Sequence, residues 1–140
     1  MKYFCFILGF CALFWFEVSK SESVIPSQKC RDKKRAEKCI LRCEYKHYNF
    51  VRKDFVIPDL YIENLKNVLL HYKAVDEQKG DQLQKHIKCC ADKVVVTEKM
   101  NRIQKCEKVI EYYDCVVDGK LVELDKYSQA ITAFDKTILV

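Results

Sequence analysis

The sequence predicts an all-α fold, a compact five- to six-helix domain stapled by disulfides. Three observations carry that expectation. Apolar residues recur at intervals of three and four along most of the chain. Breakers are scarce: beyond residue 23 only Pro26, Pro58, Gly80 and Gly119 remain, fewer than the tight turns of an all-β domain need. Seven cysteines stand beyond residue 23. Two of their spacings are near-helical, with three residues between Cys39 and Cys43 and eight between Cys106 and Cys115, so each pair can sit on a helix and tie it to a neighbour.

Residues 1–23 read as a signal peptide rather than part of this domain. Lys2 supplies the positive start, Tyr3 to Phe16 is apolar, and Ser19, Ser21 and Ser23 are the small residues of a cleavage region. Cleavage is expected after Ser23, with a cut after Ser21 nearly as good. The apolar run falls short of the roughly 18 residues a membrane span needs. Residues 24–140 would then form one helical domain, secreted and extracellular, where disulfides persist. No Asn-x-Ser/Thr sequon occurs, so N-glycosylation is not expected.

Taken in order, Cys30 to Tyr48 is charged and helical in pattern, with Cys39, Ile40, Cys43 and His47 on one face. Asn49 to Ile57, with its aromatic and β-branched residues, reads as an extended connection. Pro58 and Asp59 open a helix whose stripe is Leu65, Val68, Leu69 and Tyr72, ending near Ala74. Gly80 and Asp81 start the next, with Leu83, Ile87 and Cys90 at i, i+4, i+7. Val94, Val95 and Val96 form a turn against the core. Lys99 to Val117 is the clearest helix, with Ile103, Cys106, Ile110, Tyr113 and Val117 as its inner face, stopped by Asp118 and Gly119. A last helix carries Tyr127, Ala130, Ile131, Phe134 and Ile138 on one side.

Charge is the sharpest functional signal. Lys29 to Lys53 holds ten basic and three acidic residues, Asp54 to Gln78 is acidic by three, Lys79 to Lys108 is basic by four, and Val109 onward is acidic by three. On a single helix Arg31, Lys34, Arg35, Lys38 and Arg42 would share a stripe; if the segment turns, they cluster at a corner. Such a patch attracts polyanions and releases their counterions. The main contacts would come from Arg31, Lys33, Lys34, Arg35, Lys38 and Arg42, with Lys46, Arg52, Lys53, Arg102, Lys105 and Lys108 as a second zone. The plain alternative is a solvated face, although such faces usually mix signs. Aromatics such as Tyr45, Tyr48, Phe50, Tyr112, Tyr127 and Phe134 read as core, or else as the lining of a lipid or amine pocket.

Enzyme activity is not expected. His47, His71 and His86 fall on separate segments without metalloprotease spacing, and neither paired carboxylates nor a glycine-rich phosphate loop is visible. No cofactor or metal is expected. An odd count of seven cysteines leaves one thiol over, from Cys89 or Cys90. Cys90 points with the apolar face of its helix and Cys89 about 100° away, so Cys90 is the better candidate for a bridge. Cys89 would be free or would link two chains of an otherwise monomeric protein.

The cysteine spacings resemble those of the insect odorant-binding-protein superfamily. Within it, Pro26-Ser27-Gln28-Lys29-Cys30, Cys43-Glu44-Tyr45-Lys46-His47-Tyr48, Lys85-His86-Ile87-Lys88 and Phe134-Asp135-Lys136-Thr137 look like the small, fifteen-kilodalton, odorant-binding-protein-like salivary proteins of blood-feeding sand flies. That resemblance implies the pairing Cys30–Cys43, Cys39–Cys106 and Cys90–Cys115, with the alternative that Cys89 replaces Cys90. The first pair carries a demand. Thirteen positions on a straight helix span about 20 Å, so the chain must turn between Lys33 and Glu37 or Cys30 must pair elsewhere. The gap of eight residues between Cys30 and Cys39 is short for an odorant-binding protein and would cost a helix and part of the cavity wall. The resemblance also implies a function: binding of an anionic polysaccharide, polyphosphate or other negatively charged host surface, with inhibition of contact-pathway coagulation. Specific nucleic-acid binding is not implied. A carrier of small hydrophobic ligands or biogenic amines is the other reading. In the last helix Glu123, Asp125 and Asp135 stand against Lys120, Lys126 and Lys136, which places a polyanion site away from the C-terminus.

Overall fold

Six α-helices follow one another in the computed structural model, which describes residues 23–140. They are α1 (Pro26–Cys30), α2 (Ile40–His47), α3 (Asp59–His71), α4 (Gly80–Asp92), α5 (Arg102–Val116) and α6 (Leu124–Asp135), with 3-10 turns at Glu37–Cys39 and Glu77–Lys79. No strand occurs among the described residues. The expected leader, apart from Ser23, lies outside them. No helix among them is long and apolar enough to cross a membrane.

The first charged segment is not one helix. It breaks after Cys30, and the chain folds back through Arg31–Ala36, where the Asp32 carbonyl accepts from Arg35 N at 2.9 Å and Asp32 Oδ1 accepts from Lys34 N at 3.2 Å. This turn brings Cys30 to Cys43, whose Cα atoms are 5.6 Å apart. Cys39–Cys106 ties the 3-10 turn before α2 to α5, and Cys90–Cys115 ties α4 to α5. Cys89 is exposed and unpaired among the described residues. α3 packs on α4 and α6, α4 on α5, and α2 on α1 and α5.

Asn49 to Ile57 is a run of turns rather than an extended connection. Asn49 closes α2 in the left-handed conformation (φ 57°), with Phe50 N bonded to the Tyr45 carbonyl at 2.9 Å. Asparagine tolerates this cap well. Lys73 ends α3 in the same way, before the expected Ala74, with Ala74 N on the Leu69 carbonyl at 2.8 Å. α5 begins at Arg102 rather than Lys99 because Asn101 makes a capping box: its Oδ1 accepts from Gln104 N at 3.0 Å, and Gln104 Oε1 accepts from Asn101 N at 2.8 Å.

The inner face of α5 differs from the expected one by about one position. Cys106, Val109, Tyr112 and Val116 are buried, whereas Ile110, Tyr113 and Val117 are half-buried and Ile103 is exposed. The core is aromatic. Tyr45 meets Phe50 edge-on at 5.5 Å and Tyr112 at 6.4 Å, and Phe50 stacks on Phe134 at 5.8 Å. Such pairs add about 0.5–1.5 kcal/mol each beyond burial. Tyr45 and Tyr127 share a buried hydroxyl–hydroxyl hydrogen bond.

One charged group sits in this interior. Asp135 is 4% exposed and accepts from Ser27 N at 3.0 Å, Ser27 Oγ at 2.5 Å and the Tyr48 hydroxyl at 2.7 Å. Val24 and Val140 pair beside it through both backbone directions. The carboxylate therefore docks α1 onto the end of α6.

Asp135→Ala leaves the Tyr48 hydroxyl and both Ser27 donors without their acceptor, and is expected to cost about 3 kcal/mol of stability in urea denaturation. Tyr112 poses the opposite case, since its hydroxyl is buried with no partner. Tyr112→Phe should leave the unfolding free energy in urea unchanged or raise it by up to about 1 kcal/mol, whereas Tyr45→Phe, which strips Tyr127 of its partner, should cost about 1 kcal/mol or more.

Candidate functional site

The fold-back at Arg31–Ala36 and the Cys39–Cys106 bridge bring two distant basic segments together. Arg35 comes from the turn, Arg42 from α2 and Arg102 from the first residue of α5. They are close enough that, after burial, the charges of Arg102 and then Arg35 lower the Arg42 guanidinium from its ordinary value. Arg102 thus belongs with Arg35 and Arg42 rather than to a separate zone. The positive dipole end of α5, already capped by Asn101, also lies at Arg102.

Arg42 is held in place. Its Nη2 donates to the Lys53 carbonyl at 2.6 Å, and its guanidinium lies 4.6 Å from the centre of the Phe55 ring. Phe55 adopts φ 70°, an uncommon conformation for a bulky residue, and the turn that fixes it donates Phe55 N to the Arg52 carbonyl at 3.0 Å. Nε of both Arg35 and Arg42 is buried without an acceptor.

Lys34, Arg35 and Arg102 wall a half-open concavity of about 340 Å³, with Asp32, Cys39 and Ile103 completing it. The other sequence-predicted residues are spread around it or engaged elsewhere. Lys33, Lys46 and Lys53 are exposed, and Lys105 is half-buried. Lys38 pairs with Glu107, Arg52 with Asp54 at 2.5 Å and Lys108 with Glu111 at 2.7 Å. Arg31 turns away, toward Glu44 at 4.0 Å, and lines a second concavity with Ser27, Tyr48 and Asp135. Burial raises the Glu44 carboxyl, Arg31 opposes that shift and Asp135 adds to it.

His47 lies beside the Cys30–Cys43 bridge. Burial, followed by the charges of Lys29, Lys46 and Arg35, lowers its imidazole from the ordinary value. Its ring nitrogen and the sulfurs of Cys30 and Cys43 lie within 4.8 Å of one another. Those sulfurs are bonded to each other, so they offer no thiolate to a metal.

Three contributors escaped sequence reasoning. Phe55 reads from the sequence as core or pocket lining, and its contact with Arg42 depends on the turn conformation. Asp32 was counted only as a minority charge. Asp135 was counted among the exposed acids of the last helix, although its i, i+4, i+8 spacing with Tyr127 and Ile131 puts it at the edge of the buried face.

No protein-family model matches the chain. Curated relatives do. Ayaconin of Lutzomyia ayacuchensis is 38% identical over 100 residues, covering 71% of this chain and 68% of the relative. Salivary protein 15b and Salivary protein 15a of Phlebotomus duboscqi are 34% and 33% identical over 130 residues, covering 89% of this chain and 92% of each relative. At this identity and coverage the chain belongs to the family of sand fly salivary proteins and is secreted in saliva.

Proposed function

We propose that this protein binds anionic polymers and surfaces electrostatically and thereby hinders the surface-assembled, contact-pathway start of coagulation. Binding rather than catalysis is the activity proposed. The observation that carries the reading is the convergence of Lys34, Arg35, Arg42 and Arg102 at one stapled corner, with no side-chain ion pair on any of the four among the described residues. Holding like charges together costs folding energy through repulsion, and a bound polyanion removes that cost. The placement in an odorant-binding-protein-like lineage is part of the same proposal, supported by six helices and the bridges Cys30–Cys43, Cys39–Cys106 and Cys90–Cys115. A carrier of small hydrophobic ligands is less well supported, because Tyr45, Tyr48, Phe50, Tyr112 and Tyr127 spend their surface on one another.

Heparin affinity measured against salt tests the proposal. With about four cations neutralising the polymer, raising salt from about 50 to about 200 mM should weaken binding about a hundredfold. Arg35→Ala together with Arg102→Ala should flatten the log–log slope by about two units. Arg52→Ala should leave it nearly unchanged, because Arg52 is already paired with Asp54. A slope indifferent to Arg35 and Arg102 would falsify the assignment.

Binding should also take up a proton. Arg35, which with Lys29 and Lys46 adds to burial in lowering the His47 pKa, is neutralised when polymer covers the corner, so the bound pKa should lie above the free one. Affinity for heparin should therefore rise as pH falls from about 7.5 to about 5.5. His47→Gln should remove most of that rise, and titration calorimetry in buffers of different ionisation enthalpy would detect the proton directly.

A further inference from the structure

The concavity at the basic corner holds a group that a plain polyanion site would not need. Asp32 lines it together with Lys34, Arg35 and Arg102. Oδ1 of Asp32 is committed to Lys34 N, and the side chain makes no ion pair among the described residues. A carboxylate among three cations lowers the attraction for any anion. It also supplies the corner with a strong hydrogen-bond acceptor.

The remaining lining sorts ligands further. Arg35 contributes its guanidinium to the lining, beside Lys34 and Arg102. Ile103, 37% exposed, adds an apolar part to the lining. At about 340 Å³ the space lies at the lower end of the 300–1,000 Å³ typical of small-molecule sites, enough for one polymer unit. A ligand that fits all of these at once carries an anionic ester group, a hydroxyl able to donate, and a C–H face.

We infer that this concavity is a socket for a single sulfated sugar unit. The sulfate takes Lys34, Arg35 and Arg102, a neighbouring hydroxyl donates to Asp32, and the ring lies against Ile103. This rests on the polyanion reading above and narrows it. A polyphosphate chain satisfies the three cations but has no hydroxyl along its length, so Asp32 only repels it.

The experiment is calorimetric titration of the secreted protein at one low ionic strength with three probes: heparin, a sulfated heparin disaccharide and tripolyphosphate. The disaccharide should bind more tightly than tripolyphosphate, despite the latter's denser charge. Asp32→Ala should weaken the disaccharide about tenfold, the size of one charge-assisted hydrogen bond, while strengthening tripolyphosphate. Asp32→Asn keeps an oxygen for Lys34 N, so it preserves the turn. It should retain most of the disaccharide affinity and also strengthen tripolyphosphate. If Asp32→Ala strengthens both small ligands equally, or if tripolyphosphate binds better to the unaltered protein, the socket is refuted. If heparin binds and the disaccharide does not, the socket alone fails. If heparin itself does not bind, the broader proposal falls and the socket with it.

Discussion

Cys30 and Cys43 are thirteen positions apart, which on a continuous helix would be about 20 Å, yet their Cα atoms sit at 5.6 Å. Meeting that closure condition forces the most basic part of the chain to double back between Arg31 and Ala36, and much else depends on it. The turn ends in the 3-10 segment that carries Cys39, and Cys39 is bonded to Cys106 near the start of α5. Arg35 and Arg102 lie four positions before each of these cysteines, so the bridge that joins the two segments also sets the two arginines side by side. Loop closure over 67 residues is worth about 4 kcal/mol in the chain-entropy picture. That is a large share of the 5–15 kcal/mol that stabilises a typical domain.

Such a staple matters because the corner works against folding. Arg35, Arg42 and Arg102 repel one another, and burial, followed by the charges of Arg102 and Arg35, lowers the Arg42 guanidinium from its ordinary value. Two local devices hold Arg42 where solvent and repulsion would otherwise disperse it, namely the Phe55 ring and the Lys53 carbonyl. Phe55 itself sits in a backbone conformation that costs of order 1 kcal/mol for a residue with a side chain. Strain, repulsion and an unfilled pair of Nε donors therefore coincide at one place. Elsewhere on the surface, Arg52, Lys66, Lys88, Lys108 and Lys126 are paired with nearby carboxylates.

The helices were legible where one apolar residue stood at each turn of the pattern. On α4, Leu83, Ile87 and Cys90 leave no choice of face, and the same reasoning separates Cys90 from Cys89. On α5 the pattern is doubled: Val109 and Ile110, Tyr112 and Tyr113, and Val116 and Val117 are adjacent apolar pairs, so two faces about 100° apart fit equally well. Packing against α2 and α4 chooses the first of each pair, and periodicity alone cannot make that choice. The basic corner was legible in part. Clustered charge identified the segment from Arg31 to Arg42, but Arg102 joins it only through a contact 67 residues long in sequence. Cation–aromatic contacts and left-handed turn residues such as Phe55 are tertiary facts with no linear signature.

Asp135 connects the two ends of this account. As a free surface charge it would weigh against polyanion binding at the C-terminal helix. Buried beneath Ser27 and Tyr48, it holds the N-terminal helix in place instead. α1 in turn carries Cys30, so the docking of α1 on α6 and the Cys30–Cys43 closure fix the same short helix from both sides. The interior between them is filled by Tyr45, Tyr48, Phe50 and Tyr127, and the three tyrosine hydroxyls are satisfied by one another or by Asp135. A chamber for an apolar guest would have to open this aromatic packing and strand those hydroxyls. Binding at the outer corner requires neither, because the groups it uses are already desolvated in part, mutually repelling and short of acceptors.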